Sequence, residues 1–490
     1  MFVSLYSTRL VLSALGASDF GVFNVVGGSI AMMGFLNSTL AHATQRFMSY
    51  AEGEGQLESK RCVFNVSLVL HLLIALVTIL LLFAAMPILF HRVFNLEPDR
   101  LFAARIVYYS LIVSTGLTII NVPYDAVMNA HENMLYYSIV GVFESVLKLV
   151  IAIICVHTTL DKLIVYGILM ACIPLITLNI MKIYCHHHYK ECVIAPRRYW
   201  NEKTVKQIST FFGWNFLTAF SSLFSSQGIG LVLNHFFGTV LNAAQGIANQ
   251  LNSYMAAFSE NMMKALNPII VKKAGAQDMS SMRAITMTGC KFSTVLLLLF
   301  TIPCILEMPY ILQLWLKDVP DWTVVFCSLQ LIQSSVCQVV RSVATAIYAQ
   351  GNIKEYAIYK SLMNAAPVFL TLLCFLLGGG PIWLYIPMIV VWGIGGDCVV
   401  LYYAHKECGL DIRVFIHEVV FPIIGISIVS VLFGLSSRVF FSNNLLRLAA
   451  CILLSSFGLI ASLVIFGTTV LEKRAIIDPF LQKIRTVLRH

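Results

Sequence analysis

Seven charged side chains interrupt stretches of this sequence that are otherwise apolar. The cations are Arg9, Lys148 and Arg341, and the acids are Asp125, Glu144, Glu260 and Asp397. A charge in an apolar environment is costly unless it has a partner or a function, so each is a candidate functional group. Glu144 and Lys148 are spaced to pair on one helix face, so a structural salt bridge is the alternative for them. Arg9 and Arg341 have no acid nearby in the sequence. We expect both to face a cavity, with pairing between helices as the alternative.

Polar amides form a second pattern, in the stretch 239–270, where they are Asn242, Gln245, Asn249 and Asn252. The last three follow helical spacing and form one stripe on a helix. A polar stripe facing lipid is unfavourable, so we expect it to face a water-filled cavity. Asn37 and His42, in the stretch 20–44, form a weaker counterpart. Hydrogen bonding between helices is the alternative for both stretches.

The elements that position these residues are predicted to be membrane-spanning helices. The 490 residues are 58% hydrophobic and 12% charged, whereas soluble domains are about 45–50% apolar and about 25% charged. Apolar runs recur that are long enough to cross a bilayer, and helices satisfy the backbone of such runs internally. We therefore predict an all-α polytopic membrane protein of about 14 spans.

An internal repeat sets the order of the spans. Ser4, Leu5 and Ser7 recur as Ser222, Leu223 and Ser225, and the Phe-Gly pair at 20–21 recurs at 237–238. Each copy holds an even number of predicted spans, so both copies enter the membrane from the same side, as parallel repeats do. In the second copy of the repeat, the predicted helix that contains Ser222 begins near residue 208. In the first copy, only three residues precede Ser4. We therefore expect the first span to be incomplete and the natural chain to start upstream.

This repeat divides the chain into five parts. We predict a six-helix lobe at 1–185, a basic linker at 186–207, a second six-helix lobe at 208–405, two additional helices at 414–470 and a basic tail at 471–490. Most of the 33 Lys and Arg residues lie in loops on the side of the C-terminal tail. The positive-inside rule then makes the linker, the tail and both termini cytoplasmic. Because the basic residues follow this loop pattern, the net charge of +9 does not indicate nucleic-acid binding.

The sequence lacks the common motifs of enzymes and of zinc sites. It contains no phosphate-binding G-x-x-x-x-G-K-[ST], no H-E-x-x-H and no G-x-S-x-G, which indicates that the chain is not an enzyme. The 13 cysteines are scattered, mostly in apolar runs, as core residues are. The tract 185–188, Cys-His-His-His, with Cys192 matches no standard zinc spacing, so we predict no metal site.

Two segments resemble a known family. TRLVLSALGASDFGVFNVVGGSIAMMGFLNSTLAHATQRF (8–47) resembles the start of polysaccharide-exporter flippases, the Wzx-type, RfbX-like members of the MOP exporter superfamily. NVPYDAVMNAHENM (121–134) resembles the end of the fourth span in bacterial members. The resemblance implies a MATE/MOP-like fold, in which two lobes alternate access to a central cavity.

The resemblance also implies a function. Such proteins flip undecaprenyl-diphosphate-linked oligosaccharide from the cytoplasmic to the periplasmic leaflet of the bacterial inner membrane, for O-antigen, capsule or exopolysaccharide assembly. No cofactor is implied beyond coupling to H⁺ or Na⁺, and the partners are membrane lipids, a glycan polymerase and a chain-length protein. Arg9, Lys148 and Arg341 would then bind the diphosphate and acidic sugars, since Arg suits phosphate. Asp125, Glu144, Glu260 and Asp397 would be the ion-coupling groups.

Two alternatives remain open from the sequence. A multidrug exporter of the same superfamily, coupled to a cation, would carry cationic drugs and would line its cavity with acids. The embedded cations argue against it. A membrane glycan polymerase or ligase would need a long external loop with catalytic side chains, and the predicted external loops are short.

Overall fold

A computed structural model of the protein describes residues 2–31, 34–93, 98–316, 318–441, 443–469 and 472–473. Within these ranges the chain forms helices and no β-strand. The helices belong to two compact units, one built from residues 1–216 and 275–277 and the other from 217–274 and 278–490. The boundary lies inside a helix that starts at Glu202, after the linker at 186–207 where the sequence analysis divided the chain.

The helices of the first unit follow one another with short connections. They are α1 (Phe2–Ala31), α2 (Gly34–Glu54), α3 (Leu57–Ile88), α4 (Leu101–Ala130), α5 (Met134–His157), α6 (Lys162–His188), α7 (Pro196–Tyr199) and the start of α8 (Glu202–Gly275). Side chains begin two of them: the Asn133 carboxamide accepts from Tyr136 N to cap α5, and the Asp161 carboxylate caps α6. Helix α4 packs against α3 and α6, and α5 packs against α1 and α6.

The second unit contains the rest of α8 and the helices that follow it. These are α9 (Met279–Leu306), α10 (Met308–Leu316), α11 (Thr323–Gln338), α12 (Arg341–Gln350), α13 (Lys354–Leu376), α14 (Tyr385–Pro387), α15 (Gly396–Cys408), α16 (Ile412–Phe415), α17 (Phe421–Phe440) and α18 (Asn444–Ser462). Helices α17 and α18 pack on each other and on α9. Buried Glu307, just after α9, accepts two hydrogen bonds from Arg447 Nε and one from its Nη2, which fastens α18 to α9.

Ten helices of the described ranges are long and apolar enough to cross a membrane, or eleven if α11 and α12, which meet at 42°, form one bent span. The predicted fourteen spans result from the count of eleven when α8 is divided into two helices and the predicted spans in α1 and α2 are added. Helix α2 is too polar to be among the ten, and Gly16 divides α1 into two segments shorter than a typical span. The prediction of an all-α polytopic membrane protein is confirmed.

Each unit contains a glycine at which two helices meet without an intervening loop. Gly16 in α1 has φ 75° and ψ 171°, and Gly238 in α8 has φ 78° and ψ −170°. Only glycine adopts this backbone conformation readily. The internal repeat is therefore visible in the backbone. It pairs Gly238 with Gly16, whereas the sequence alignment had paired Gly238 with Gly21.

We expect Gly238→Ala to lower the free energy of unfolding by about 1–3 kcal/mol, because alanine must be forced into that conformation. Thermal unfolding of the purified protein in detergent measures the effect. Gly246→Ala is the matched control, since Gly246 lies in the same helix with helical backbone and open space around its would-be Cβ. Alanine there should leave the melting temperature unchanged or raise it. An equal loss in both variants would contradict the explanation.

Candidate functional site

A cavity of about 270 Å³ lies within the first unit, among α4, α5 and α6. Its lining residues are Thr118, Asn121, Asp125, Tyr137, Val140, Gly141, Glu144, Ile173, Pro174, Thr177 and Met181. Two of the four predicted ion-coupling acids, Asp125 and Glu144, are therefore brought together here. The other two, Glu260 and Asp397, belong to the second unit.

Asp125 is held by its own helix. Asn121 lies one turn earlier on α4, and its Nδ2 is 3.1 Å from each carboxylate oxygen of Asp125. Between the two residues, Pro123 removes a backbone donor from the helix. The Asn121 Oδ1 is buried and has no hydrogen-bond partner. A buried acceptor without a donor is unfavourable, so this oxygen lacks the partner that a buried amide normally has.

Glu144 approaches the same cavity from α5. Its Oε1 lies 2.6 Å from Lys148 Nζ, one turn further along the helix, and both side chains are partly exposed. Its charge acts on Asp125 and, together with that of Asp125, on the hydroxyl of Tyr137. The cavity thus holds two carboxylates, of which Glu144 is paired with an ammonium group.

This set of groups is suited to binding a small cation. Carboxylate, amide and hydroxyl oxygens are the ligands that hard cations prefer. Two nearby carboxylates cannot both remain ionised at low cost, so together they favour uptake of a proton or a metal cation. Lys148 offsets one negative charge, and the second is left for a mobile ion.

In the second unit, Arg341 has an acidic partner from another helix. Its Nη2 is 3.2 Å from Glu260 Oε1, and about half of each side chain is exposed. Arg341 begins α12, directly after the break from α11, and Glu260 lies on α8. One helical turn further along both helices, Thr345 Oγ1 donates to Asn267 Oδ1 at 3.0 Å. The structure therefore shows the pairing between helices that was the alternative for Arg341.

The fold of this chain is similar to that of known proteins. The sequence matches no protein-family model, and no curated protein is similar to it in sequence. A MATE transporter in the bent conformation matches with a TM-score of 0.72 and 14% identity, over 83% of this chain and 91% of that chain. An outward-facing multidrug resistance MATE family transporter of the MOP superfamily matches with a TM-score of 0.68 and 14% identity, over 83% and 92%. The chain has the MATE transporter fold.

A MOP superfamily transporter from Pyrococcus furiosus is also similar, with a TM-score of 0.65 and 13% identity, over 83% of this chain and 93% of that chain. These similar structures are of transporters rather than of enzymes. Together with the apolar helices, they show a multi-pass membrane protein.

Within the MATE fold, the amides of the predicted stripe have different surroundings. Gln245 is buried, and both it and Asn242 lie beside Gly230 of the same long helix. Asn249 is exposed, and Asn252 has a buried Oδ1 without a hydrogen-bond partner. The stripe is therefore packed at Gln245, open at Asn249 and partly buried again at Asn252.

The remaining predicted residues lie near the start of the chain. Asn37 is half-buried, and its Oδ1 has no hydrogen-bond partner. His42 is exposed and takes part in a polar or ring interaction with another group. Arg9 lies in α1, but its side chain is outside the part of the chain that the structure describes.

Sequence reasoning missed Lys360 of α13 as a neighbour of Asp397. The Lys360 Nζ packs against Gly396, the residue before Asp397, where an added Cβ would lie 2.4 Å away. A lysine inside the apolar run of α13 was a signal that could have found it. Asn121 was also missed as a site residue, although it lies four residues before Asp125 and could be found by that spacing.

Proposed function

We propose that this chain is a cation-coupled transporter that moves undecaprenyl-diphosphate-linked oligosaccharide from the cytoplasmic to the periplasmic leaflet by alternating access. The observation that carries the transport part is the cavity with Asp125 and Glu144 in a chain of MATE fold. Coupling in this proposal uses the uptake and release of H⁺ or Na⁺ at these carboxylates.

The anionic substrate is supported by the surroundings of Arg341. Its Nη2 lies 3.2 Å from Glu260 Oε1, and 51% of the Arg341 side chain is exposed. A guanidinium has five N–H donors in a planar fork that fits phosphate oxygens, so donors remain for a diphosphate. The Pyrococcus furiosus transporter, which has a similar structure, also has a binding pocket of reversed polarity, and this polarity suggests a different function for that protein.

A multidrug exporter is the second candidate, favoured by a specific observation. Both Lys148 and Arg341 have a glutamate partner, so the acids offset the embedded cations on which the anionic substrate depends. One of the similar solved structures is a multidrug resistance transporter. The transporters among the similar structures favour either candidate over a glycan polymerase or ligase.

We expect the full-length chain to restore surface polysaccharide in a bacterial strain that lacks its own glycan flippase. Arg341→Ala should reduce export while the protein still inserts, because the diphosphate loses its guanidinium partner. Arg413→Ala is the control, since Arg413 is an exposed arginine in the first turn of α16. Surface polysaccharide and the amount of inserted protein are measured together.

The same strains separate the two candidates. If the chain fails to restore polysaccharide, yet protects a strain without drug exporters from cationic drugs, the multidrug exporter is correct. Normal polysaccharide export by Arg341→Ala would remove this residue from substrate binding.

A further inference from the structure

Three distant segments of the first unit meet in a cluster of side chains that the transport site does not use. Glu52 comes from the end of α2, His131 follows α4, and Glu191 lies between α6 and α7. One donor atom from each residue lies within 4.8 Å of the others. An imidazole and two carboxylates form a donor set suited to first-row divalent metals.

The His131 ring is fixed by its neighbours. Its Nε2 is hydrogen-bonded to Glu191 Oε1, and its face stacks on the Tyr189 ring with centroids 4.2 Å apart. Glu191 is 4% exposed. A carboxylate accepts hydrogen bonds, so Nε2 donates to Glu191 and carries the proton.

The other ring nitrogen then presents its lone pair to a second carboxylate. His131 Nδ1 lies 3.6 Å from Glu52 Oε1, which is longer than a normal hydrogen bond. Two ligands of a tetrahedral zinc ion, each about 2.1 Å from the metal, are roughly 3.4 Å apart. The separation therefore suits two ligands of one ion better than a direct contact between two acceptors.

We infer that His131 Nδ1 and Glu52 Oε1 bind a divalent first-row metal ion such as Zn²⁺, with Glu191 orienting the imidazole from its far side. Histidine ligands of metals commonly donate their second N–H to a carboxylate, which is the arrangement here. Lys60 Nζ lies 2.8 Å from Glu52 Oε2, which leaves Oε1 for the metal. With one ammonium against two carboxylates, the cluster keeps a net negative charge that favours a cation.

The ion would join three segments at this end of the first unit. The stretch around Glu191 is already fastened to α3, because Asn65 Nδ2 donates to Val193 O and Asn65 Oδ1 accepts from Ala195 N, both at 2.8 Å. A metal bound to Glu52 and His131 would add α2 and the end of α4 to the same junction. We therefore expect the metal to raise thermal stability as well as to bind.

The test uses the full-length protein in detergent, with any polyhistidine tag removed, titrated with Zn²⁺ by calorimetry and in thermal unfolding. We expect one site that is lost in His131→Gln and in Glu52→Gln, and weakened about 10- to 100-fold in Glu191→Gln. Lys60→Met should tighten binding, because it removes a cation that competes for Glu52. A purely structural role of the cluster does not predict that gain.

His188→Gln is the matched control, since the exposed histidines at 186–188 are the other candidate for zinc binding. His188 Nδ1 contacts Tyr184 O, and its ring stacks on Tyr184, whereas the His131 ring stacks on Tyr189. Binding that survives both His131→Gln and Glu52→Gln, or that is lost in His188→Gln alone, would overturn the inference. If His131→Gln does not fold, Glu52→Gln decides, because it leaves the bond between His131 and Glu191 in place.

Discussion

Asp125→Asn is expected to reduce cation uptake driven by a gradient by about 10- to 150-fold, the factor that corresponds to the loss of about 1.5–3 kcal/mol for an interaction with a charged group. The substitution keeps the size of the side chain and removes one of the two carboxylates in the cavity. In the unmodified protein, Asn121 Nδ2 lies 3.1 Å from each carboxylate oxygen of Asp125. In the variant, the Asn121 amide faces a second amide instead. Uptake of ²²Na⁺ and of protons into proteoliposomes, measured separately, gives the effect and identifies the ion.

Glu144→Gln tests whether the two carboxylates act as one site. We expect a loss of similar size, and little further loss in the double variant, because residues that share one bound ion are not additive. Glu58→Gln is the control, since Glu58 is an exposed acid of the same unit, paired with Arg61 outside the cavity. Ion uptake by Asp125→Asn at the unmodified rate would place coupling elsewhere.

Local spacing explains what the sequence could predict about this site. Glu144 and Lys148 were expected to be able to pair because a helix places every fourth residue on one face, and the structure gives 2.6 Å between their charged atoms. Asp125 was selected because a charge in an apolar run needs a reason. Neither argument could show that both acids line one cavity, since that depends on how α4, α5 and α6 pack.

Contacts between distant residues explain what the sequence could not show. The partner of Arg341 is Glu260 on another helix, and no spacing rule connects two residues so far apart in the chain. The cluster of Glu52, His131 and Glu191 joins three loops or helix ends for the same reason. The repeat predicted that a glycine recurs, but only backbone angles identified Gly16 as the equivalent of Gly238.

Glu472→Gln is expected to destabilise the protein by about 3–5 kcal/mol, the usual cost of leaving one partner of a buried ion pair alone. Lys291 lies in α9 with only 2% of its side chain exposed, and its Nζ is 2.7 Å from Glu472 Oε2. Thr288 Oγ1 and the backbone N–H of Thr469 also donate hydrogen bonds to this carboxylate. Loss of the charge leaves a buried ammonium without a counterion, so thermal unfolding in detergent should show a much lower melting temperature.

The chain offers a pair of the same chemistry that differs in burial. Lys406 Nζ lies 2.6 Å from Glu355 Oε2, with 45% and 60% of the two side chains exposed. Water replaces a lost partner at such a site, so Glu355→Gln should hardly change the melting temperature. The double variant Lys291→Met with Glu472→Met should recover most of the stability lost in Glu472→Gln, because no unpaired charge remains buried. Equal losses in Glu355→Gln and Glu472→Gln would show that burial does not set the strength of the Lys291 pair.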